Sequence, residues 1–144
     1  MRDLLADSKW QEADRETLTI MLRVAGREKE GWLDIQSINS FPCTELRTID
    51  RLWLRYSNGQ FGFSVQKRIW ESIGGTLDAD YETWCKFGDR VGWRSQREFN
   101  FTFDIKVPHG HLPTQGRGKK RQKAEWMRGL VIPSIGSRLL SCNI

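Results

Sequence analysis

Residues 44–66, TELRTIDRLWLRYSNGQFGFSVQ, decide how this chain folds. In the first part, apolar side chains recur at steps of three and four residues, as on one face of an α-helix: Leu46, Ile49, Leu52, Trp53 and Tyr56. Asn58 and Gly59 end this pattern, because both residue types tolerate the left-handed backbone that closes a helix. A second helical pattern follows, in Val65, Ile69, Trp70 and Ile73. The stretch predicts two packed helices joined by a tight turn, with an outer face on the first formed by Arg47, Asp50, Arg51 and Arg55.

Further helices are predicted on both sides of this stretch. Before it, Ser8–Gln11 has the form of a capping box, and a helical pattern of apolar residues then runs to Gly26. Asp34 can cap a short helix, as can Asp78 or Asp80 later in the chain. In all, four shorter helices are predicted, at Asp3–Ala6, Ile35–Ser40, Tyr81–Phe87 and Ser134–Cys142. The predicted fold class is all-α, a single compact helical domain over residues 1–144.

The pattern changes near residues 99–105. Phe99, Phe101, Phe103 and Ile105 alternate with polar residues, which is the period of an extended segment with one apolar face. No partner strand is evident. A loop predicted at about 114–124 follows, and it carries the only strongly biased run of the sequence, with five Lys or Arg within residues 117–123. We expect this basic loop to be flexible.

Composition limits the class of protein. The 144 residues are 38% hydrophobic and 28% charged, with a net charge of +5, which suits one domain with a real core. No apolar run approaches the ~18–20 residues of a membrane span, so we expect no transmembrane segment. The start of the chain is acidic, so we expect no signal peptide. Three cysteines without metal-ligand spacing, Cys43, Cys85 and Cys142, are interpreted as buried thiols in a reducing compartment.

The residue patterns of common catalytic sites are absent from the sequence. His109 and His111 could contribute to a metal site only with ligands from elsewhere, so a structural role for at least one is favoured and no metal is predicted. Asp50 and Asp89 each precede an arginine and are interpreted as ion-pairing residues. We therefore expect a protein that is not an enzyme.

The phenylalanines and the basic loop leave two kinds of ligand open. One is a flat apolar ring system with peripheral carboxylates; the other is single-stranded nucleic acid, whose bases stack on aromatic rings. Phenylalanines that only fill the core, beside a solvated basic turn, are an equally good interpretation of the residues alone.

Several motifs resemble those of one known family. They are Glu30–Leu33, Ser40–Cys43, Leu46–Trp53, Tyr56–Gln66, Gly110–Pro113 and the ending Ser137–Cys142. This set is similar to the Genomes-Uncoupled tetrapyrrole-binding family, whose founding members activate magnesium chelatase in chlorophyll synthesis. The resemblance implies an almost all-helical fold shaped like a cupped hand, without enzymatic activity, that holds protoporphyrin IX or Mg-protoporphyrin IX in an apolar palm closed by a mobile late loop.

The resemblance also implies a set of ligand contacts. The palm positions fall on Ile38, Phe99, Phe101 and Phe103, and the late loop offers Arg117, Lys119, Lys120 and Arg121 to the propionates. The string Tyr56–Gln66 is interpreted as scaffold. A cytoplasmic location in a cyanobacterium or the plastid stroma is implied, together with a monomer, a magnesium chelatase subunit as partner, no specific nucleic acid, and at most peripheral membrane contact.

The sequence also departs from the family in ways that support an alternative. Between Trp93 and Phe99 the chain is shorter than in the chelatase-activating members, so a palm tryptophan found there in some of them is missing. Residues 78–90 look more like paralogous domains fused to signalling modules. The alternative is a paralogue that binds a linear bilin, or a signalling or protein-interaction module without ligand.

Overall fold

The protein is mostly helical in the computed structural model, which describes residues 1–96, 98–114 and 131–144. The helices of these residues are α1 Arg2–Ala6, α2 Trp10–Val24, α3 Ile35–Asn39, α4 Cys43–Tyr56, α5 Phe63–Ser72, α6 Tyr81–Arg90 and α7 Val131–Ser141. The predicted all-helical class is confirmed. Of the predicted basic loop, only Thr114 is described; Arg117, Lys119, Lys120 and Arg121 lie outside the described residues.

The extended segment is shorter than predicted, and it does have a partner. β1 Arg94–Ser95 pairs with β2 Glu98–Phe99 in an antiparallel hairpin. A connection of two residues is enough to bring antiparallel strands together, which is why no distant partner was visible in the sequence. Residues 101–104 continue without regular structure.

The larger group of buried side chains, the central cluster, draws on helices from both ends of the chain. Its members are Leu5, Trp10, Ala13, Leu18, Met21, Leu22, Leu33, Ile38, Phe41, Leu46, Ile49, Trp53, Phe61, Phe63, Leu112, Ile135 and Leu139. The rings of Trp10 and Trp53 lie 6.3 Å apart, and Phe61 meets Trp10 edge-on at 5.5 Å. These rings tie α2 to α4 and to the turn that follows α4.

The smaller group, the aromatic cluster, comprises Trp70, Trp84, Phe87, Val91 and Trp93. It is built by α5, α6 and the residues just before the hairpin. Phe87 lies 5.6 Å from Trp70 and 5.3 Å from Trp93, in both cases edge-on. Such geometry is favourable for aromatic rings.

The turn between α4 and α5 has the predicted form. Asn58 and Gly59 both adopt positive φ, at 52° and 78°, and the Gly59 N–H donates to the Leu54 carbonyl at 2.8 Å. This bond closes α4 in the manner expected of a left-handed cap. The chain can therefore reverse into α5 within six residues.

Two local predictions are wrong, and a third is right about the ion pair but not about its partner. Ser8 does not cap α2: it has φ 57°, and Lys9 precedes the helix with no side-chain cap. Asp50 is buried instead of lying on the outer face of α4 beside Arg51. Asp89 forms an ion pair as predicted, but with Arg94 at 2.9 Å rather than with its neighbour Arg90. For both aspartates, a contact made by the folded chain replaces the one suggested by sequence proximity.

The cysteine interpretation is also corrected. Cys43 and Cys142 form a disulfide, with their Cα atoms 5.3 Å apart and 99 residues between them in sequence. Cys85 is a free, buried thiol in α6, as predicted. The pairing was not predicted because the two residues meet only when α7 packs against α3 and α5, which brings Cys142 to the first residue of α4.

Candidate binding site

Residues 105–113, the glutamine-held loop, follow the extended segment and are fixed by two side chains of the Tyr56–Gln66 string. The Gln60 amide donates to the carbonyls of Ile105 and Val107 at 2.7 and 2.6 Å. The buried Gln66 amide donates to the carbonyls of Gly110 and Pro113 at 3.0 and 2.9 Å. Glutamine suits this task because one NH₂ group can satisfy two carbonyls. The string thus acts as scaffold, as the sequence suggested.

His111 is a structural residue within this loop. The Thr102 N–H donates to its Nε2 at 3.3 Å, so Nδ1 carries the proton that faces the Val91 carbonyl at 2.8 Å. The indole of Trp93 donates to the His111 carbonyl at 2.6 Å. These bonds join the loop to the end of α6 and to the extended segment, whereas His109 is exposed.

The predicted palm phenylalanines reach two different parts of the core. Phe101 is half-buried and lies 5.8 Å from Trp93, against the aromatic cluster. Phe103 is also half-buried but packs against the central cluster. Phe99 is the last residue of β2, and its side chain lies outside the part of the chain that the structure describes. Phe101 and Phe103 are therefore only two residues apart in sequence, but their rings contact different clusters.

Ile38, the remaining predicted palm residue, belongs to the central cluster and is only 2% exposed. It lies on α3, which begins at Asp34 as predicted: the Asp34 carboxylate accepts from the Ser37 N–H at 2.8 Å. Interaction with the Ser37 side chain, followed by the bond from the Ser37 N–H, lowers the pKa of Asp34. Ile38 and Phe103 thus share a cluster, and Phe101 does not join them.

Thr114, the last described residue before the basic run, is held by a buried carboxylate that sequence analysis missed. Asp14 on α2 accepts from the Thr114 N–H and hydroxyl, both at 2.6 Å. The sequence did contain a signal for this contact: Asp14 lies on the inner face of an amphipathic helix, and a buried acid usually has a partner. This contact fixes where the chain leaves the glutamine-held loop.

Asp50 is a second buried carboxylate, and it caps α5. Its Oδ1 accepts from the Ser64 N–H at 2.9 Å, while burial raises the pKa of the group above its ordinary value. The close approach requires glycine at position 62, because a Cβ there would lie 2.9 Å from Asp50 Oδ1. Asp50 therefore positions α5, the helix that carries Gln66.

A cavity of about 400 Å³ lies where α4 and the start of α2 meet the glutamine-held loop. It is lined by Ser8, Trp10, Tyr56, Ser57, Asn58, Gln60, Ile105 and His109. Three predicted palm residues have described side chains, and none of the three lines this cavity: Ile38, Phe101 and Phe103.

Two further findings concern metal ligands and membrane-spanning helices. Within residues 1–96, 98–114 and 131–144, no three His, Cys, Asp or Glu side chains come together in a way that could hold a metal ion. Over the same residues, no helix is both long and apolar enough to span a membrane.

Comparisons with known proteins agree with the fold. The structure resembles ligand-free GUN4 of Arabidopsis thaliana, with a TM-score of 0.72 and 24% identity over 93% of this chain and 94% of that one. GUN4 of Chlamydomonas reinhardtii gives the same TM-score at 27% identity, over 94% of this chain and 84% of that one.

Sequence relatives come from photosynthetic organisms. A Ycf53-like protein of Synechocystis is 32% identical over 78% of this chain, and the chloroplastic tetrapyrrole-binding protein of Arabidopsis thaliana is 28% identical over 76%. The chain spans about half the length of these relatives, 48% and 44%. A family model described as GUN4-like matches residues 1–128. The chain belongs to the GUN4-like family.

Proposed function

We propose that this protein binds a tetrapyrrole and has no enzymatic activity of its own. The observation that carries the proposal is membership of the GUN4-like family, together with a relative named as a tetrapyrrole-binding protein. Protoporphyrin IX, Mg-protoporphyrin IX or a linear bilin would be the ligand. Residues 1–144 would act as one binding domain, and as a monomer.

The apolar part of the proposed site consists of Ile38, Phe99, Phe101 and Phe103. A tetrapyrrole is a wide apolar disc, so its binding is favoured by several aromatic or aliphatic walls. Phe101 and Phe103 are half-buried, which leaves part of each ring to meet such a disc. Ile38 is almost fully buried, so its participation requires that neighbouring side chains move when the ligand enters.

The polar part of the proposed site is the basic run. Arg117, Lys119, Lys120 and Arg121 would pair with the two propionates at the rim of the ring. Their segment follows Thr114, which Asp14 holds on α2, and it precedes α7.

The biological role we propose is delivery or sensing of a porphyrin, linked to magnesium chelatase and chlorophyll synthesis or to tetrapyrrole signalling. The relatives named above come from a cyanobacterium and from a chloroplast, which supports a location in the cytoplasm of a cyanobacterium or in the plastid stroma. No specific nucleic-acid partner is proposed, because the net charge is a mild +5. Any membrane contact would be peripheral.

A titration tests the proposal directly. Protoporphyrin IX, Mg-protoporphyrin IX and biliverdin are each added to the purified chain, and the absorption band of the ligand and the Trp fluorescence are followed. We expect a saturable band shift with Trp quenching for at least one ligand. If none of the three shifts, tetrapyrrole binding is rejected, and the alternative of a signalling or protein-interaction module is favoured.

A quadruple variant tests the basic run, with Gln at Arg117, Lys119, Lys120 and Arg121. Exposed ion pairs contribute ~0.2–1 kcal/mol each, so loss of two propionate pairs should weaken binding about 2- to 30-fold and change the melting temperature little. The matched control places Gln at four exposed cations elsewhere: Arg15, Arg23, Lys29 and Arg51. A porphyrin dimethyl ester should show no difference between the two variants. An equal loss for the free acid and the ester would assign the run to another partner.

A further inference from the structure

The disulfide joins two segments that are distant in sequence and flank α3. Cys43 is the first residue of α4, directly after the Phe41–Pro42 segment that follows α3, and Cys142 lies just past the end of α7. α7 packs against α3 and α5. The bond therefore fastens the C-terminal end of α7 to the junction between α3 and α4.

Three polar, reversible bonds also hold this end of α7. The Arg138 guanidinium donates to the Phe41 carbonyl at 2.8 Å, and Arg47 donates to the Cys142 carbonyl at 2.6 Å. Lys67 donates to the Ile144 carbonyl at 3.1 Å. All three bonds are part-buried, so water competes for them when the covalent link is absent.

The two cysteine residues differ in exposure. Cys43 is half-buried, whereas Cys142 is 3% exposed. Cys43 is therefore the residue that we expect a thiolate reductant to approach.

We propose that Cys43–Cys142 is a redox modification site, at which a dithiol reductant releases the C-terminal end of α7 from the α3–α4 junction. In the first step a thiolate of the reductant attacks Sγ of Cys43; the S–S bond breaks, a mixed disulfide forms at Cys43, and Cys142 leaves as a thiolate that takes a proton from water. The second thiol of the reductant then attacks the mixed disulfide and displaces the Cys43 thiolate. Two electrons pass to the protein, and the reductant ends as a disulfide.

Reduction should loosen α7 selectively. Ile135 and Leu139 keep their places in the central cluster through apolar contacts alone, while α4 retains Leu46, Ile49 and Trp53 in the same cluster. Without the covalent link, a helix that is held by two apolar side chains and a few polar bonds opens more readily than a helix at the centre of the core. This inference does not rest on tetrapyrrole binding.

Hydrogen exchange of the full chain tests the proposal. The protein is compared after incubation in oxidised glutathione and after incubation in dithiothreitol. We expect one free thiol in the oxidised sample and three in the reduced one, counted after denaturation. Exchange in α7 should rise by about tenfold or more on reduction, while exchange over residues 46–56 changes by less than about twofold.

Variants supply the controls. Cys43→Ser and Cys142→Ser should each show fast α7 exchange in both buffers, and Cys85→Ser should respond to redox conditions as the parent does. Three free thiols in the oxidising buffer would overturn the proposal, as would unchanged exchange in α7. Equal acceleration in α4 and α7 would also overturn it, because the bond would then support the whole fold rather than one helix.

Discussion

The two hydrophobic clusters differ in how far apart in sequence their members lie. The central cluster joins residues from Leu5 to Leu139, whereas the aromatic cluster uses only residues from Trp70 to Trp93. A cluster built from distant segments can form only when the whole chain is folded, while a local cluster can open as a unit. Deletion of a ring from the central cluster should therefore destabilise helices along the whole chain, whereas deletion of a ring from the aromatic cluster should destabilise only the helices near it.

Trp53→Ala should produce the largest loss of stability. Trp53 is fully buried, contacts Trp10 and Phe61, and donates from its indole to the Thr17 hydroxyl at 3.0 Å. Deletion of such a ring costs ~3–5 kcal/mol of unfolding free energy. The measurement is urea unfolding combined with hydrogen exchange.

Trp84→Ala is the matched deletion in the aromatic cluster, where Trp84 is 3% exposed. We expect Trp53→Ala to accelerate exchange in α2, α4 and α7 together, and Trp84→Ala to act mainly on α6 and its neighbours. If both variants accelerate exchange everywhere, the two clusters are one cooperative unit and the comparison fails.

Gln66→Leu should have the next largest effect, because Gln66 reaches the loop that lies between the clusters. The change leaves two buried carbonyls, of Gly110 and Pro113, without their donor. Each unsatisfied group costs ~1–3 kcal/mol. Removal of the buried Gln66 Oε1, for which the described residues supply no hydrogen bond, offsets part of that cost, so we expect a loss of about 2–4 kcal/mol in urea unfolding. Gln60→Leu is the control; its bonds are more exposed, and its loss should be smaller. The reverse order would mean that the loop is held mainly at residues 105–107.

Much of the fold could be predicted from the sequence, because α2, α4 and α5 show their apolar faces in residues three and four apart. Asn58–Gly59 marked the turn, and Asp34 marked the start of α3. The contacts missed were those between distant segments: the disulfide, the Asp14–Thr114 bonds, and the burial of Asp50. Helical period tells which face of a helix turns inward, but it does not tell which other segment that face meets.

The candidate site was less accessible to prediction. Alternation from Phe99 to Ile105 indicated one apolar face, but the regular strand ends at Phe99 and the following rings enter separate clusters. Alternation fixes a common face only while the chain stays extended. The residues proposed to bind the ligand therefore remain predictions, and the two rings provide their test.

Phe101→Ala and Phe103→Ala should differ in ligand affinity, with stability losses of about 1–3 kcal/mol because both rings are only half-buried. Phe103 shares the central cluster with Ile38, so we expect its loss to weaken porphyrin binding by about tenfold, which corresponds to ~1.4 kcal/mol. Phe101 packs on Trp93, and its loss should mainly loosen the aromatic cluster. Porphyrin titration and urea unfolding of both variants give the answer. A larger affinity loss for Phe101→Ala would move the ligand to the aromatic cluster.

The smallest effects concern two capping carboxylates that should respond oppositely to pH. Asp50 caps α5 beside the central cluster, and burial raises its pKa above 3.8; Asp80 caps α6 beside the aromatic cluster, and its bonds to Thr83 lower its pKa below 3.8. The contribution of Asp50 to the free energy of unfolding is therefore complete below pH 3.8 and is lost as the pH rises through its folded-state pKa. The contribution of Asp80 is present above pH 3.8 and is lost as the pH falls through its folded-state pKa.

Asn substitutions isolate these charges, because Asn keeps a capping oxygen. Relative to the parent, Asp50→Asn should gain stability as the pH rises from about 3 to 7, whereas Asp80→Asn should lose stability over the same range. The measurement is the difference in unfolding free energy between parent and variant at several pH values, which cancels the titration of all other groups. If both differences change with pH in the same direction, Asp50 is stabilised as an anion in its buried setting, and the contrast between a buried cap and an exposed cap is wrong.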